Sequence, residues 1–289
     1  MRRNDNLKPI HKQTIHSEHQ MTSASSRFGD YRKLVAAQTT NPHIRATAQN
    51  GGAVTALLVY SLENRIIDGA IVSAISKDKP FYPMPKLATT KEEIIQSAGT
   101  RYNYSPNIQA LTETKERNRR AVAFVGTPCQ IRAIRRMQQS RPKDTESIKL
   151  LVGLMCTEAL DYEGLMGHYL TDRLGINLKD IEKTEIGGKM TITARGKKTI
   201  VPVATVKKYV RNACKTCDDF SSELADISAG GLGLSDWTFM IIRTEIGEQT
   251  FNQAEKANAL ATRPIVEDEP SFKLLLKLSE AKHKRTKNE

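Results

Sequence analysis

A chain of 289 residues with 39% hydrophobic content can bury one large core or two small ones. No stretch approaches the roughly eighteen uninterrupted apolar residues of a membrane helix, and the opening thirty residues are too polar for a signal peptide, so a cytoplasmic protein without a membrane span is expected. The formal charge of +12 invites a nucleic-acid reading, but residues 1–33 and 273–289 each carry +4 of it and aromatics make up only 6%, which argues against nucleic acid and for basic tails, either solvated or docked on an acidic partner.

In chain order, residues 1–25 are rich in Asn, Gln, His, Ser and Thr with little apolar periodicity, and read as a disordered or loosely attached basic tail. Residues 26–270 read as a single domain, with no internal repeat or low-complexity linker. Within it, "GGAVTALLVYSLENRIIDGAIVSAIS" (51–76) sets Val54, Leu57, Leu58 and Leu62 at helical spacing, turns at Asp68-Gly69 and runs into a strand over 70–75. Residues 91–98 predict a short helix, 121–126 a strand, 130–139 a basic helix and 148–155 a buried strand. "KMTITARGKKTIVPV" (189–203) alternates with period two about Arg195-Gly196 and predicts a hairpin, which would make the sheet mixed rather than purely parallel. Residues 271–289 read as a basic C-terminal helix or tail. The alternation predicts an α/β fold, a mixed β-sheet flanked by helices, with α+β as the other arrangement.

The four cysteines all fall at ends of predicted elements. Cys129 follows "AFVGTP", Cys156 follows the next strand, and Cys214 and Cys217 form the C-x-x-C of "RNACKTCDDF". In a reducing compartment two structural disulfides are not expected. Ligands of open α/β sheets gather where strands end, so these thiols have a route to one point, where four suit a tetrahedral zinc or an iron–sulfur cluster. Scattered core cysteines, a thiol redox pair, or a nucleophilic Cys129, with His168 as the one histidine of the patterned body near it, stay open on residues alone.

Two further stretches carry chemistry. "TAQNGGAVTALL" (47–58) puts Asn50, Gly51 and Gly52 before a helix with Thr55 in its first turn, so backbone N–H groups face outward as in a phosphate cradle, or Gly-Gly simply makes a turn. "SAGTRYNYSPN" (97–107) offers a cation, two phenols and several hydroxyls, suited to phosphates and a flat ring, or is an ordinary polar loop.

Taken together, "QNGGAVTALLVYSLENRIIDGAIV", "SAGTRYNYSPN", "AFVGTPCQIRAIRRM", "GLMCTE" and "RNACKTCDDFSSELADISAGGLG" occur in the order and spacing of the coenzyme F420 hydrogenase/dehydrogenase beta-subunit family, which also includes 7-hydroxymethyl chlorophyll a reductase relatives. The resemblance covers about residues 44 to 250. It implies a flavoprotein oxidoreductase with FAD and a [4Fe–4S] cluster at the strand ends, and coenzyme F420 as substrate. Cys129, Cys156, Cys214 and Cys217 are then the implied cluster ligands. Asn50, Gly51, Gly52, Thr55, Thr100, Arg101, Tyr102, Tyr104 and Ser105 are the implied FAD contacts. Asp226 and the glycines of "ADISAGGLG" match a motif near the cluster pair. Many relatives begin with a cysteine-rich segment holding further clusters; nothing before Ala121 here contains Cys, so one cluster is expected.

The resemblance implies hydride exchange between F420, or another hydride carrier, and FAD, with single electrons passing through the cluster to a partner protein or ferredoxin. No catalytic side chain is assigned. Lys207, Lys208 and Arg211 either neutralise a phosphate, raise the cluster potential or form a solvated face. Alternatives are a reductase of the same family acting on ferredoxin, a pigment or another unsaturated substrate, and a non-enzymatic zinc-stabilised interaction protein.

Overall fold

The protein is described by a computed structural model over residues 27–267 and 269–287, so the expected tail over 1–25 lies outside the described residues. The strands are β1 (Lys33–Thr39), β2 (Gly69–Ile75), β3 (Pro83–Ala88), β4 (Val122–Gly126), β5 (Ile148–Leu154), β6 (Ile181–Ile186), β7 (Lys189–Ala194), β8 (Lys197–Pro202), β9 (Ile227–Gly230), β10 (Thr238–Ile242) and β11 (Leu260–Pro264). The helices are α1 (Pro42–Thr47), α2 (Ala53–Glu63), α3 (Lys91–Gln96), α4 (Leu111–Glu116), α5 (Pro128–Ser140), α6 (Glu163–Arg173), α7 (Val203–Val206), α8 (Glu245–Lys256) and α9 (Pro270–His283).

Eight strands form one sheet in the order β11-β1-β10-β9-β5-β4-β2-β3. Its centre, β9-β5-β4-β2, is parallel. Such strands are covered on both faces and read as continuous apolar runs, as "VAFVG" and "IKLLVGL" do. Alternate side chains feed opposite cores. Ala70, Val72, Ala123, Val125, Leu150 and Val152 meet α2 and Phe251 of α8 on one face. Ile71, Val122, Phe124 and Leu151 meet Ile131 and Ile134 of α5 on the other. β3, carrying Pro83 and Pro85, lies at an edge, where a missing ladder donor is tolerated.

The sheet is mixed as expected, but through other strands than the hairpin. β1 pairs antiparallel with both β10 and β11, and β3 antiparallel with β2. The hairpin over 189–203 forms at the expected turn, with Arg195 and Gly196 both left-handed (φ 48° and 72°), as a two-residue type I′ connection requires. It belongs to a separate three-stranded sheet, β6-β7-β8. That sheet buries Met190, Ile192 and Val201 against Leu165, Met166 and Leu170 of α6.

The solvated-tail expectation is corrected for the C-terminal segment. α9 buries Phe272 and Leu275 against Phe28, Phe239 and Ile241. Each such side chain contributes about 1.5–3 kcal/mol, enough to hold a helix of 14 residues that is marginal in isolation. Among the described residues no helix is long and apolar enough to cross a membrane.

Candidate functional site

β4 and β5 are parallel neighbours with Gly126 opposite Gly153, so the chain leaves both at the same edge of the sheet and reaches Cys129 and Cys156 just beyond it. Cys129 is the second residue of α5, behind the Thr127 cap and Pro128. It is exposed, and its neighbour is Thr127, whose Oγ1 lies 3.3 Å from the sulfur. His168 is elsewhere, paired at 3.1 Å with Asp172 on its own helix, so Cys129 gains no base from it.

The C-x-x-C loop is sewn over these strand ends. The Cys156 N–H donates to the Phe220 carbonyl at 2.9 Å. The Ala159 N–H donates to Cys214 Sγ at 3.4 Å. Arg132 of α5 pairs with Asp218 at 2.7 Å. Burial pushes the Cys156 thiol up to about 12; the Lys282 ammonium opposes this, and charge on Cys214, Cys129 and Cys217 adds to it. Thus the three segments bring Cys129, Cys214 and Cys217 within electrostatic reach of Cys156. Among the described residues no three His, Cys, Asp or Glu side chains form a group able to close on a metal ion.

The turn before α2 stands beside this seam. Gly52 caps the helix at φ 70° without a side-chain bond to its first N–H groups. The two glycines are also demanded by packing. A Cβ on Gly51 would fall 2.5 Å from the Ala37 carbonyl oxygen and 2.7 Å from the Thr238 nitrogen. One on Gly52 would fall 3.1 Å from both Ala48 Cβ and Thr39 Cγ2. Asn50 lies against the loop after β9: a Cβ on Gly231 would meet its Nδ2 at 2.5 Å, and one on Gly230 would meet Met155, the neighbour of Cys156. The glycine motif therefore joins the α2 turn to the cysteine seam through close backbone approach. Asp226 has a different part. Its buried carboxylate accepts from the Leu151 N–H (2.7 Å), Arg135 (2.8 Å) and Thr244 Oγ1 (2.8 Å), tying β5, α5 and the start of α8 together.

The loop over 100–105 divides its residues between tasks. Arg101 donates to the Ser97 and Gly99 carbonyls (2.6 and 2.9 Å), has no carboxylate in ion-pair range among the described residues, and is lowered by burial to about 10. The Tyr102 hydroxyl accepts from the Ile186 N–H at 3.0 Å and its ring packs with the small sheet's core. Burial raises its phenol. Tyr104 turns the other way: the Arg211 guanidinium lies 3.9 Å from its ring centroid, and its phenol is raised by burial and then by charge on Cys129 and Cys214. Ser105 bonds Asn107 at 2.7 Å, and its carbonyl accepts from Gln130 at 3.0 Å. Thr100 is exposed and Thr55 partly so. Of the basic trio leading to the C-x-x-C, Lys207 and Lys208 are exposed and Arg211 alone reaches the site.

Several residues of the seam were not legible as site residues. Gln130 bridges Ser105 and Thr127 and keeps a buried Oε1 without a partner. Arg285, just after α9, donates to the Cys214 carbonyl and pairs with Glu158, two residues after Cys156. The one signal for the α9 end was the buried stripe of that helix, Phe272, Leu275, Ser279 and Lys282.

Residues 34–112 match the family model for the coenzyme F420 hydrogenase/dehydrogenase beta subunit N-term, and residues 119–268 the model for its C terminus. The chain is 36% identical over 268 residues to coenzyme F420 hydrogenase subunit beta of Methanococcus voltae, covering 91% of this chain and 95% of that one. It is 37% identical to the subunit of the same name from Methanothermobacter thermautotrophicus, covering 90% and 95%. The fold is similar to a chain of the F420-reducing [NiFe] hydrogenase complex from Methanosarcina barkeri, with TM-score 0.85, 36% identity and 91% and 92% coverage. On these matches and the geometry above, the chain belongs to the coenzyme F420 hydrogenase/dehydrogenase beta-subunit family, a family of oxidoreductase components with an F420-linked redox role.

Proposed function

We propose that this chain exchanges a hydride between coenzyme F420 and a bound FAD, and passes single electrons through a [4Fe–4S] cluster on Cys129, Cys156, Cys214 and Cys217 to a partner subunit. The observation that carries the reading is Tyr104, which stands in the implied flavin loop, is stacked by Arg211 and is within electrostatic reach of Cys129 and Cys214. This supports a flavin loop and a cysteine site that lie near each other. A flavin, when bound, joins two-electron hydride chemistry to one-electron iron–sulfur chemistry.

The chain's own residues fit such a group. The first N–H groups of α2 lack a side-chain cap, Arg101 is a half-buried cation with no carboxylate in ion-pair range among the described residues, and Gln130 holds a free buried acceptor between the loop and Cys129. Helix N-termini and unpaired cations are the recognition elements for phosphates. Four thiolates suit either a zinc ion or an iron–sulfur cluster, and the family resemblance points to the cluster. A single zinc needs its sulfurs at about 2.3 Å, hence close to one another. Cys156 is within electrostatic reach of Cys129, Cys214 and Cys217, and four thiolates are a complete ligand set for a cubane.

Anaerobic purification followed by stopped-flow reduction tests the reading. A brown-yellow protein with flavin bands and a cluster shoulder is expected, bleached rapidly by reduced F420 and slowly by NADH or NADPH. Preferential reduction by a nicotinamide, or by none of the three, would move the protein to another substrate within the family. A colourless protein would remove both cofactors.

A further inference from the structure

We propose that Gln130 and Thr127 form a hydrogen-bond relay that runs from the Ser105 carbonyl to the Cys129 sulfur and raises the reduction potential of the iron–sulfur group held there; this rests on the cluster reading above. Thr127-Pro128-Cys129-Gln130 has the spacing of a capping box, with Thr at the N-cap of α5 and Gln three residues on. Neither side chain caps the helix. The Thr127 hydroxyl makes no bond to a helix N–H. The Gln130 amide, in a residue only 3% exposed, spends both its hydrogens elsewhere: Nε2 donates to the Ser105 carbonyl at 3.0 Å and to Thr127 Oγ1 at 3.2 Å.

The direction of the relay is fixed at each step. A carbonyl only accepts, so the Ser105 oxygen holds the amide nitrogen toward itself, and the reverse orientation would set Oε1 against it. The amide keeps this orientation although its Oε1 is left buried without a partner among the described residues. Thr127 Oγ1 thus accepts from Gln130 and has its own hydrogen to give. The Cys129 sulfur lies 3.3 Å from it. As a ligand that sulfur is a thiolate with no hydrogen, so the hydroxyl donates to it. The far end of the relay is anchored on β4: the Ser105 hydroxyl donates to Asn107 Oδ1 at 2.7 Å, and Asn107 Nδ2 donates to the Val125 carbonyl at 2.8 Å. Gly126 leaves room for the near end, since a Cβ there would fall 3.2 Å from Gln130 Cβ. Reduction puts further negative charge on the ligand sulfurs, and a donor aimed at one of them favours the reduced form. Thr127 and Gln130 are positioning residues: they act through Cys129, and they tie it to the loop implied for FAD.

The test compares the full chain with Thr127→Val, Thr127→Ser and Gln130→Met in anaerobic redox titrations followed by electron paramagnetic resonance. Thermal melting of each iron-free chain runs alongside. Val keeps the shape of Thr and suits its extended backbone, so it removes the hydroxyl and little else. The expected midpoint potential of Thr127→Val is lower by about tenfold in the one-electron equilibrium, the low end of what outer partners of metal ligands contribute, which equals about 59 mV. Thr127→Ser should stay near wild type, and Gln130→Met, which frees the hydroxyl to turn away, should shift in the same direction as Thr127→Val. Iron-free Thr127→Val should melt with wild type, because no helix N–H loses a cap. Loss of iron in Thr127→Val with full iron and a near-wild-type potential in Thr127→Ser would equally support the hydroxyl. A wild-type potential in cluster-bearing Thr127→Val or Gln130→Met, or equal loss of iron in both Thr127 variants, would overturn the relay. A drop in the melting temperature of iron-free Thr127→Val that Thr127→Ser restores would assign the hydroxyl to capping and overturn it too. Failure of wild type itself to hold iron and sulfide would instead overturn the cluster reading, and this proposal with it.

Discussion

At the scale of single residues, the four cysteines have no substitutes, since the chain contains only these four thiols. Replacing any one with Ala is expected to cost most of the bound iron, and each about equally. Full iron and sulfide in Cys129→Ala or Cys156→Ala would remove that residue from the ligand set. Arg101 is the second residue-scale case, because its guanidinium is desolvated while its visible bonds go only to carbonyls. A charge-assisted bond to a phosphate is worth roughly 1.5–3 kcal/mol, so Arg101→Ala should weaken FAD binding by about tenfold to a hundredfold. Wild-type affinity by isothermal titration would show that the cation serves only its own loop. Tyr102 and Tyr104, two positions apart, illustrate why such loops resist reading from sequence: both are phenols in one motif, yet one is committed to Ile186 and the other faces the cysteines.

At the scale of elements, the start of α2 carries two demands at once. Gly52 needs the left-handed conformation, which costs other residues on the order of 1–3 kcal/mol, and a branched side chain would also press on Ala48, Thr39 and Ile44. Gly52→Val is therefore expected to lower the melting temperature of the flavin-free protein, so its loss of FAD would report folding first. An unchanged melting temperature with lost FAD would return the glycine to a purely binding role. Asp226 joins three elements from a side chain only 6% exposed. Asp226→Ala leaves the buried Leu151 N–H unpaired beside a partly exposed Arg135, which should cost about 1–3 kcal/mol and lower the urea midpoint accordingly. A midpoint within error of wild type would mean that Arg135 and the Leu151 N–H find water instead. The strands and helices themselves were largely legible. Strand 70–75, strand 121–126, strand 148–155 and the helix containing Val54 to Leu62 appear within a few residues of their expected bounds, because each announces its own burial by period or by an apolar run.

At the scale of the whole molecule, the net charge of +12 bears on encounter rather than on fold. F420 is anionic, so its association with this chain should slow as salt shortens the screening length from about 30 Å at 0.01 M to about 8 Å at physiological strength. Stopped-flow association rates that do not change with salt would show that the basic residues are not arranged around the site. Part of the C-terminal charge is removed from any such field, since Lys282 is buried and Arg285 is paired with Glu158.

The sequence by itself determined the family, through five motifs in fixed order, and the central parallel strands, through apolar runs that need no partner to be recognised. It also determined that the cysteines stand at element ends, since each follows or precedes a readable strand or turn. Only the tertiary structure decided what those ends meet. The pairing of Lys33 with Ile242, the removal of the hairpin to a separate sheet, the pressure of Ala37 and Thr238 on Gly51, and the bond from Arg285 to the Cys214 carbonyl all join residues far apart in the chain. Periodicity records which face of an element is buried, but the partner that buries it is chosen by packing across the whole fold.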